Sequence, residues 1–194
     1  MNKAKQAPIT TTKSQALDLG RHYLQTRGYN AFSFQLIADE LGIKKASLHY
    51  HFASKEDMGM ALIEDYEKAY LESVEKMKDL SATDKLDRMI HIFCRMSQDQ
   101  KKLCPLGVLS VDFNTVPVKM QKRLLEFHKV QQEWLMMTLK QGLAEKTLKK
   151  DLDLKFTTDL ILATIQGGLL MARVRGESAT LKSMLEKVIE EIKR

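Results

Sequence analysis

Long apolar runs are absent from this 194-residue chain, and cysteine, proline and glycine are all scarce. Each shortage excludes something. No stretch approaches the ~20 consecutive apolar residues that a membrane-spanning helix needs. The opening MNKAKQAPITTTK lacks the apolar centre of a secretory signal. Cys94 and Cys104 show neither C-x-x-C spacing nor a disulfide framework, which fits a reducing compartment, so a cytoplasmic location is expected. Nine glycines and three prolines are too few for a turn-rich β fold, which points to an all-α one. No phosphate-binding loop, nucleophile elbow or HExxH motif is present, so no enzyme class is indicated. His49 and His51 stand two apart on an expected helix and point to different faces, which argues against a metal pair. Neither a metal nor a cofactor is expected.

What is present begins with 44% hydrophobic and 29% charged residues, enough apolar side chain to exclude a disordered chain. The net charge of +6 is unevenly placed. Residues 1–55 hold eight Lys/Arg against three acids, a net +5, while the remaining 139 residues balance to +1. The excess sits in the first quarter, where it would attract a polyanion.

The apolar period is helical almost throughout. A first helix is expected from Ser14 to Arg27, ended by Gly28, and a short second one over Phe34–Leu41, capped by Ser33 and closed by Gly42. A third covers Lys45–His51. Ser54 caps a longer fourth helix with Met58, Leu62, Tyr66, Tyr70 and Met77 at helical spacing. A fifth carries Leu86, Met89, Ile90, Phe93 and Met96; Cys104-Pro105 starts a short sixth segment ending near Asn114-Thr115; Pro117 opens a long seventh. After a loop over residues 148–155 with Asp153 as N-cap, residues 160–174 are apolar nearly all round, and a last amphipathic helix carries Leu181, Leu185, Val188 and Ile192.

The segment FQLIADELGIKKASLHYHFASKEDM, Phe34 to Met58, reads as helix–turn–helix. Leu36, Ile37 and Leu41 pack inward, Ala38 allows close approach, and Gly42 supplies the turn. Ile43, Leu48 and Phe52 anchor the second helix, leaving Lys44, Lys45, Ser47, His49 and Tyr50 to face out.

The run I-A-x-E-L-G-I-x-x-A-S-L-x-Y-H-F-x-S-K-E within it resembles the TetR/AcrR signature, whose usual form is close to IA-x-x-x-GVS-x-G-x-LY-x-HF-x-SKE. The resemblance covers roughly residues 12–66. It implies an N-terminal three-helix DNA-binding domain over residues 1–53 and an effector-binding and dimerisation bundle over 54–194. Lys45, Ser47, His49 and Tyr50 would then meet bases or nearby phosphates; Lys44, Lys55 and the Thr10–Lys13 arm would meet the DNA backbone, and Ser33 belongs to the same DNA-facing set. Two departures matter. Lys44 replaces the family's frequent Ser N-cap, forgoing about 1 kcal/mol of capping. His49 replaces its usual Tyr, with Tyr50 next, so that either His49 or Tyr50 would make that phosphate contact.

The implied partners are double-stranded operator DNA, a second copy docked through helices about 155–175 and 179–192, and a small-molecule effector. Gly167-Gly168 would let the partner helix come close. Phe93, Met96, Leu103, Phe113, Phe127, Trp134, Met137 and Ile165 are the candidate pocket residues, large or soft groups on helices that should face one another. Cys104 stands before Pro105 at a helix start, near Lys101 and Lys102, where the dipole would favour thiolate. The run CPLGVLSVDF also resembles a Cys-containing segment of a TetR subgroup that includes regulators answering electrophiles and oxidants. Cys104 is thus a candidate sensing thiol, the alternative being a buried, inert cysteine. The expected function is a ligand- or redox-responsive repressor that leaves its operator on effector binding; an activator, or a helical interaction protein without DNA affinity, would share most of these features.

Overall fold

The computed structural model describes residues 11–98 and 102–194, which form nine α-helices. The expectations on residues 1–9, Thr10 and Lys101 lie outside the described residues. Helix α1 (Thr12–Arg27) starts two residues earlier than expected because the Thr11 hydroxyl accepts the Ser14 N–H at 3.3 Å. It buries Ala16, Gly20, Tyr23 and Leu24 and ends at Gly28, whose φ of 90° lies where side chains are disfavoured. A single 3-10 turn, Tyr29–Ala31, then leads into α2 (Phe34–Leu41) and α3 (Lys45–His51). These three helices pack on one another around Leu24, Ile37, Leu48 and Phe52.

Helix α4 (Lys55–Glu75) runs from this unit into the rest of the chain and packs against both α1 and α7. Glutamates or aspartates on it pair with each neighbour: Asp65 with Arg21 of α1 at 3.1 Å, and the nearly buried Glu67 with Arg123 of α7. Met77 lies beyond the helix, in the following turn, yet is buried there. The remaining bundle comprises α5 (Ala82–Gln98), α6 (Pro105–Val111), α7 (Val118–Ala144), α8 (Leu154–Arg175) and α9 (Ala179–Ile192). Asp153 caps α8 by accepting the Phe156 N–H at 3.0 Å. Buried threonines Thr138, Thr158 and Thr164 bond back to the carbonyl four residues earlier, which satisfies their hydroxyls.

The two C-terminal helices divide their apolar surface differently from the sequence expectation. The stripe of α9, Leu181, Leu185, Ile189 and Ile192, faces inward onto α5 and α8 and is core of the single chain, not a free face awaiting a partner. Gly168 likewise serves the same chain: a β-carbon there would stand 2.5 Å from Leu181 Cδ1. Helix α8 instead keeps an outer row at spacings of four and three, namely Phe156, Leu160, Ala163, Gly167, Leu170 and Val174. All but the half-buried Gly167 are exposed, and a β-carbon on Gly167 would meet nothing within 4 Å. The apolar all-round character of α8 therefore splits into one buried side and one bare side. Replacing Gly168 by Ala should cost about 1–3 kcal/mol in denaturant unfolding, because Leu181 is fully buried and has little room to turn aside. Gly167→Ala should unfold no more easily than the parent.

Candidate nucleic-acid interface and ligand cavities

The helix–turn–helix is built by local bonds. Ser33 Oγ accepts the Leu36 N–H at 3.2 Å and so starts α2. Gly42, at φ 65°, turns the chain out of it, and the Ile43 N–H returns to the Ala38 carbonyl at 3.0 Å. Tyr23 of α1 donates to the Glu40 carboxylate, which fixes the far end of α2; this bond and burial push the Tyr23 phenol above its ordinary pKa. Helix α3 begins at Lys44 with no side-chain cap, and Leu48 is its one buried residue.

Lys44, Lys45, Ser47, His49 and Tyr50 are all exposed, and no acid occurs from Lys44 to Lys55. Within this group the two aromatic candidates differ. His49 packs edge-on against Phe34, ring centres 5.0 Å apart, with Nδ1 3.3 Å from the Ala53 carbonyl oxygen. Tyr50 is 86% exposed, touching His51 edge-on. His51 is half-buried. Lys55, expected to meet the DNA backbone, is half-buried. Its Nζ lies 4.4 Å from the Tyr29 ring centre and 4.8 Å from that of Phe32, and burial lowers its pKa against the opposing pull of Asp112. The rings hold that ammonium near the C-terminal end of α6.

Two cavities adjoin α6. One, about 310 Å³, lies among α4, α5, α6 and α7 and brings together the expected Phe93, Met96, Cys104, Phe127 and Trp134. The other, about 450 Å³, is walled by α6, α7 and α8 and includes Leu103, His128 and Leu170. Cys104, Leu106 and Gln131 line both, so they form the partition. Phe113, Met137 and Ile165 line neither. Ile165 points into the packed core and Met137 into solvent, while Phe113 is half-buried beyond the end of α6, a rotation about each helix that periodicity alone does not fix. Gln166 donates from Nε2 to Cys104 Sγ at 3.6 Å, its amide lying where a β-carbon on Gly107 would be.

Tyr66 and Tyr70 face the smaller cavity although their spacing suggested only packing, and a hydroxyl on an otherwise core-like stripe was the available signal. Asp112 was missed too. It closes the C-terminal end of α6, where an acid opposes the helix dipole, and accepts the Tyr29 N–H at 2.8 Å. At the other end of α6, Leu103 exchanges bonds with Gln25: its N–H reaches the Gln25 carbonyl at 3.1 Å, and Gln25 Nε2 reaches its carbonyl at 3.2 Å. Helix α6 is thus tied at one end to the tail of α1 and at the other to the 3-10 turn that follows it.

Comparison with known proteins settles the family. Residues 16–62 match the family described as bacterial regulatory proteins, tetR family, and residues 82–188 match the tetracyclin repressor-like C-terminal domain. The chain belongs to the TetR family. A TetR transcriptional regulator from Legionella pneumophila is 30% identical, superposes with a TM-score of 0.85, and is matched over 96% of this chain and 100% of its own. An uncharacterized HTH-type transcriptional regulator from the lacX 3' region of Lactococcus lactis subsp. lactis is 25% identical over 90% of each chain. The HTH-type transcriptional repressor DhaR of Mycobacterium sp. (strain GP1) is 20% identical over 93% of this chain and 92% of its own. TetR-family proteins are transcriptional regulators that bind operator DNA, dimerise and take small-molecule effectors through the C-terminal domain. The N-terminal helix–turn–helix and C-terminal bundle seen here have that organisation.

Within this TetR-family chain the exposed α3 set makes a graded expectation. Tyr50→Ala should weaken operator binding by roughly tenfold or more, and Lys45→Ala should lower the salt slope of binding by about one. Lys55→Ala should leave that slope unchanged while lowering thermal stability, since its ammonium sits on the rings of Tyr29 and Phe32. Anisotropy titrations across a salt series, paired with thermal melts, separate the two.

Proposed function

We propose that this protein is a cytoplasmic repressor that holds a near-palindromic operator as a homodimer and lets go when an effector occupies the bundle. The observation that carries this is the two-ended attachment of α6: the helix that walls both cavities is bonded through Leu103 and Asp112 to Gln25 and Tyr29, where α1 of the DNA-binding unit ends. The working boundary lies between residues 53 and 54, with α4 shared, since it starts beside α3 and ends beside the smaller cavity.

Lys45, Ser47 and Tyr50 are assigned to base edges and nearby phosphates, with Lys44 and the Ser33 hydroxyl on the backbone. His49 steadies α3 against Phe34, and Tyr50 takes the phosphate contact that either aromatic residue was expected to make. The bare row on α8 is the surface for the second copy, with Gly167 as its point of closest approach. An effector displaces α6 or α4, and the two recognition helices then no longer match successive major grooves. About 2–3 kcal/mol of differential affinity is enough to relieve repression.

A thiol-reactive effector is the second reading, favoured by the place of Cys104 in the partition between the cavities, with Gln166 bonded to its sulfur. Alkylation there would separate Gln166 from α6.

Fluorescence anisotropy on the duplex upstream of the protein's own gene, against a scrambled duplex, tests the proposal. Binding should be sequence-selective and steeply salt-dependent. Equal, weak binding to that duplex, to the scrambled one and to genomic fragments would overturn it. The same complex reports the thiol route: release by a mild electrophile should disappear in Cys104→Ser, and release that persists excludes it.

A further inference from the structure

We propose that the smaller cavity takes an uncharged aromatic carbonyl compound of one or two rings, held by a hydrogen bond from Tyr66; this rests on reading the bundle as an effector domain. Among the described residues, none that lines the cavity carries a formal charge at neutral pH. An ionised ligand would lose its hydration there with no counter-charge from the described lining, which disfavours carboxylates and amines. The walls instead favour flat apolar surface. Tyr70 stands edge-on to both Phe127 and Trp134, at 5.7 and 6.2 Å between ring centres, and Phe93 and Met96 add further apolar lining. A volume near 310 Å³ lies at the small end of ligand sites, which span roughly 300–1,000 Å³.

The carbonyl follows from one atom. Tyr66 Oη is buried and is the one such side-chain oxygen or nitrogen without a hydrogen-bond partner among the described residues. Burial holds its phenol well above the ordinary pKa, so at neutral pH it carries a proton to donate. A buried donor without an acceptor is costly, and a ligand carbonyl oxygen relieves that cost. Tyr66 is also where occupancy would be felt. The Arg21 guanidinium of α1 lies 5.9 Å from its ring centre and pairs with Asp18 and Asp65, so a ligand that moves Tyr66 moves the contact between α1 and α4. The larger cavity fits less well: it includes Asp159, His128 and exposed residues of α8, placing its mouth on the proposed dimer surface.

Trp134 is the single tryptophan of the chain and lines this cavity, so its emission reports occupancy without DNA. The probes are acetophenone and 2-acetylnaphthalene, benzoate and benzylamine as charged counterparts, and ethylbenzene as the apolar one. N-acetyltryptophanamide controls for collisional quenching. The ketones should give saturable changes, with benzoate and benzylamine at least ~tenfold weaker. Tyr66→Phe should weaken the ketones ~fivefold or more and leave ethylbenzene unchanged. Equal binding of benzoate, an unchanged ketone affinity in Tyr66→Phe, parallel loss of ethylbenzene, or no saturable change with any probe would each overturn the proposal. None of those outcomes touches DNA binding, whose failure would appear separately in the anisotropy assay.

Discussion

The Asp112 carboxylate accepting the Tyr29 N–H is one of the contacts that hold the two halves of the molecule in register. It sits at a crowded point. A β-carbon on Gly28 would come within 3.0 Å of the same carboxylate, and the Lys55 ammonium covers Tyr29 from the other side while feeling the Asp112 charge. An acid at the C-terminal end of α6 works against that helix's dipole. The bond to Tyr29 and the nearby Lys55 offset this penalty, so the arrangement is favourable only while α6 and the tail of α1 stay together. Together with the Leu103–Gln25 pair at the other end of α6, it makes the short helix a strut between the cavities and the DNA-binding unit.

Around that strut the chain places its exposed apolar and basic groups with economy. Helix α3 buries only Leu48 and gives the rest of its surface to basic, hydroxyl and aromatic side chains, an arrangement that gains little for folding and suits a groove of DNA. Helix α8 satisfies the monomer with one side and leaves a row spaced by four and three residues on the other, the pattern of a helix that packs along a second one. Both surfaces make sense in a symmetric pair on a symmetric site.

The sequence was most legible where structure is decided locally. The bounds of α2 and α3, the Ser33 cap, the Gly42 turn and the Asp153 cap follow from groups within four residues of one another, and each is found where expected. Helix rotation is a different matter, because it depends on neighbours far along the chain. Phe127, Phe93 and Trp134 turn toward the cavity, but Ile165 and Phe113 do not, and Tyr66 and Tyr70 take the places that periodicity had left unassigned. The same holds for α9, whose amphipathic stripe is equally compatible with a partner or with α5 and α8 of its own chain. Lys55 shows the limit for charge: a lysine at a helix start beside a basic helix reads as a phosphate contact until two aromatic rings are seen beneath it.

In a dimer, the two copies would present their recognition helices at a spacing set by the bundle. Pulsed electron paramagnetic resonance measures it directly, using a spin label introduced at the exposed position 31, outside the residues assigned to DNA, through a ketone-bearing unnatural amino acid, which leaves Cys94 and Cys104 untouched. On operator DNA the account predicts one narrow distance, consistent with helix centres about 34–36 Å apart, one turn of the duplex. A broad distribution, or no dipolar coupling at all, would contradict it.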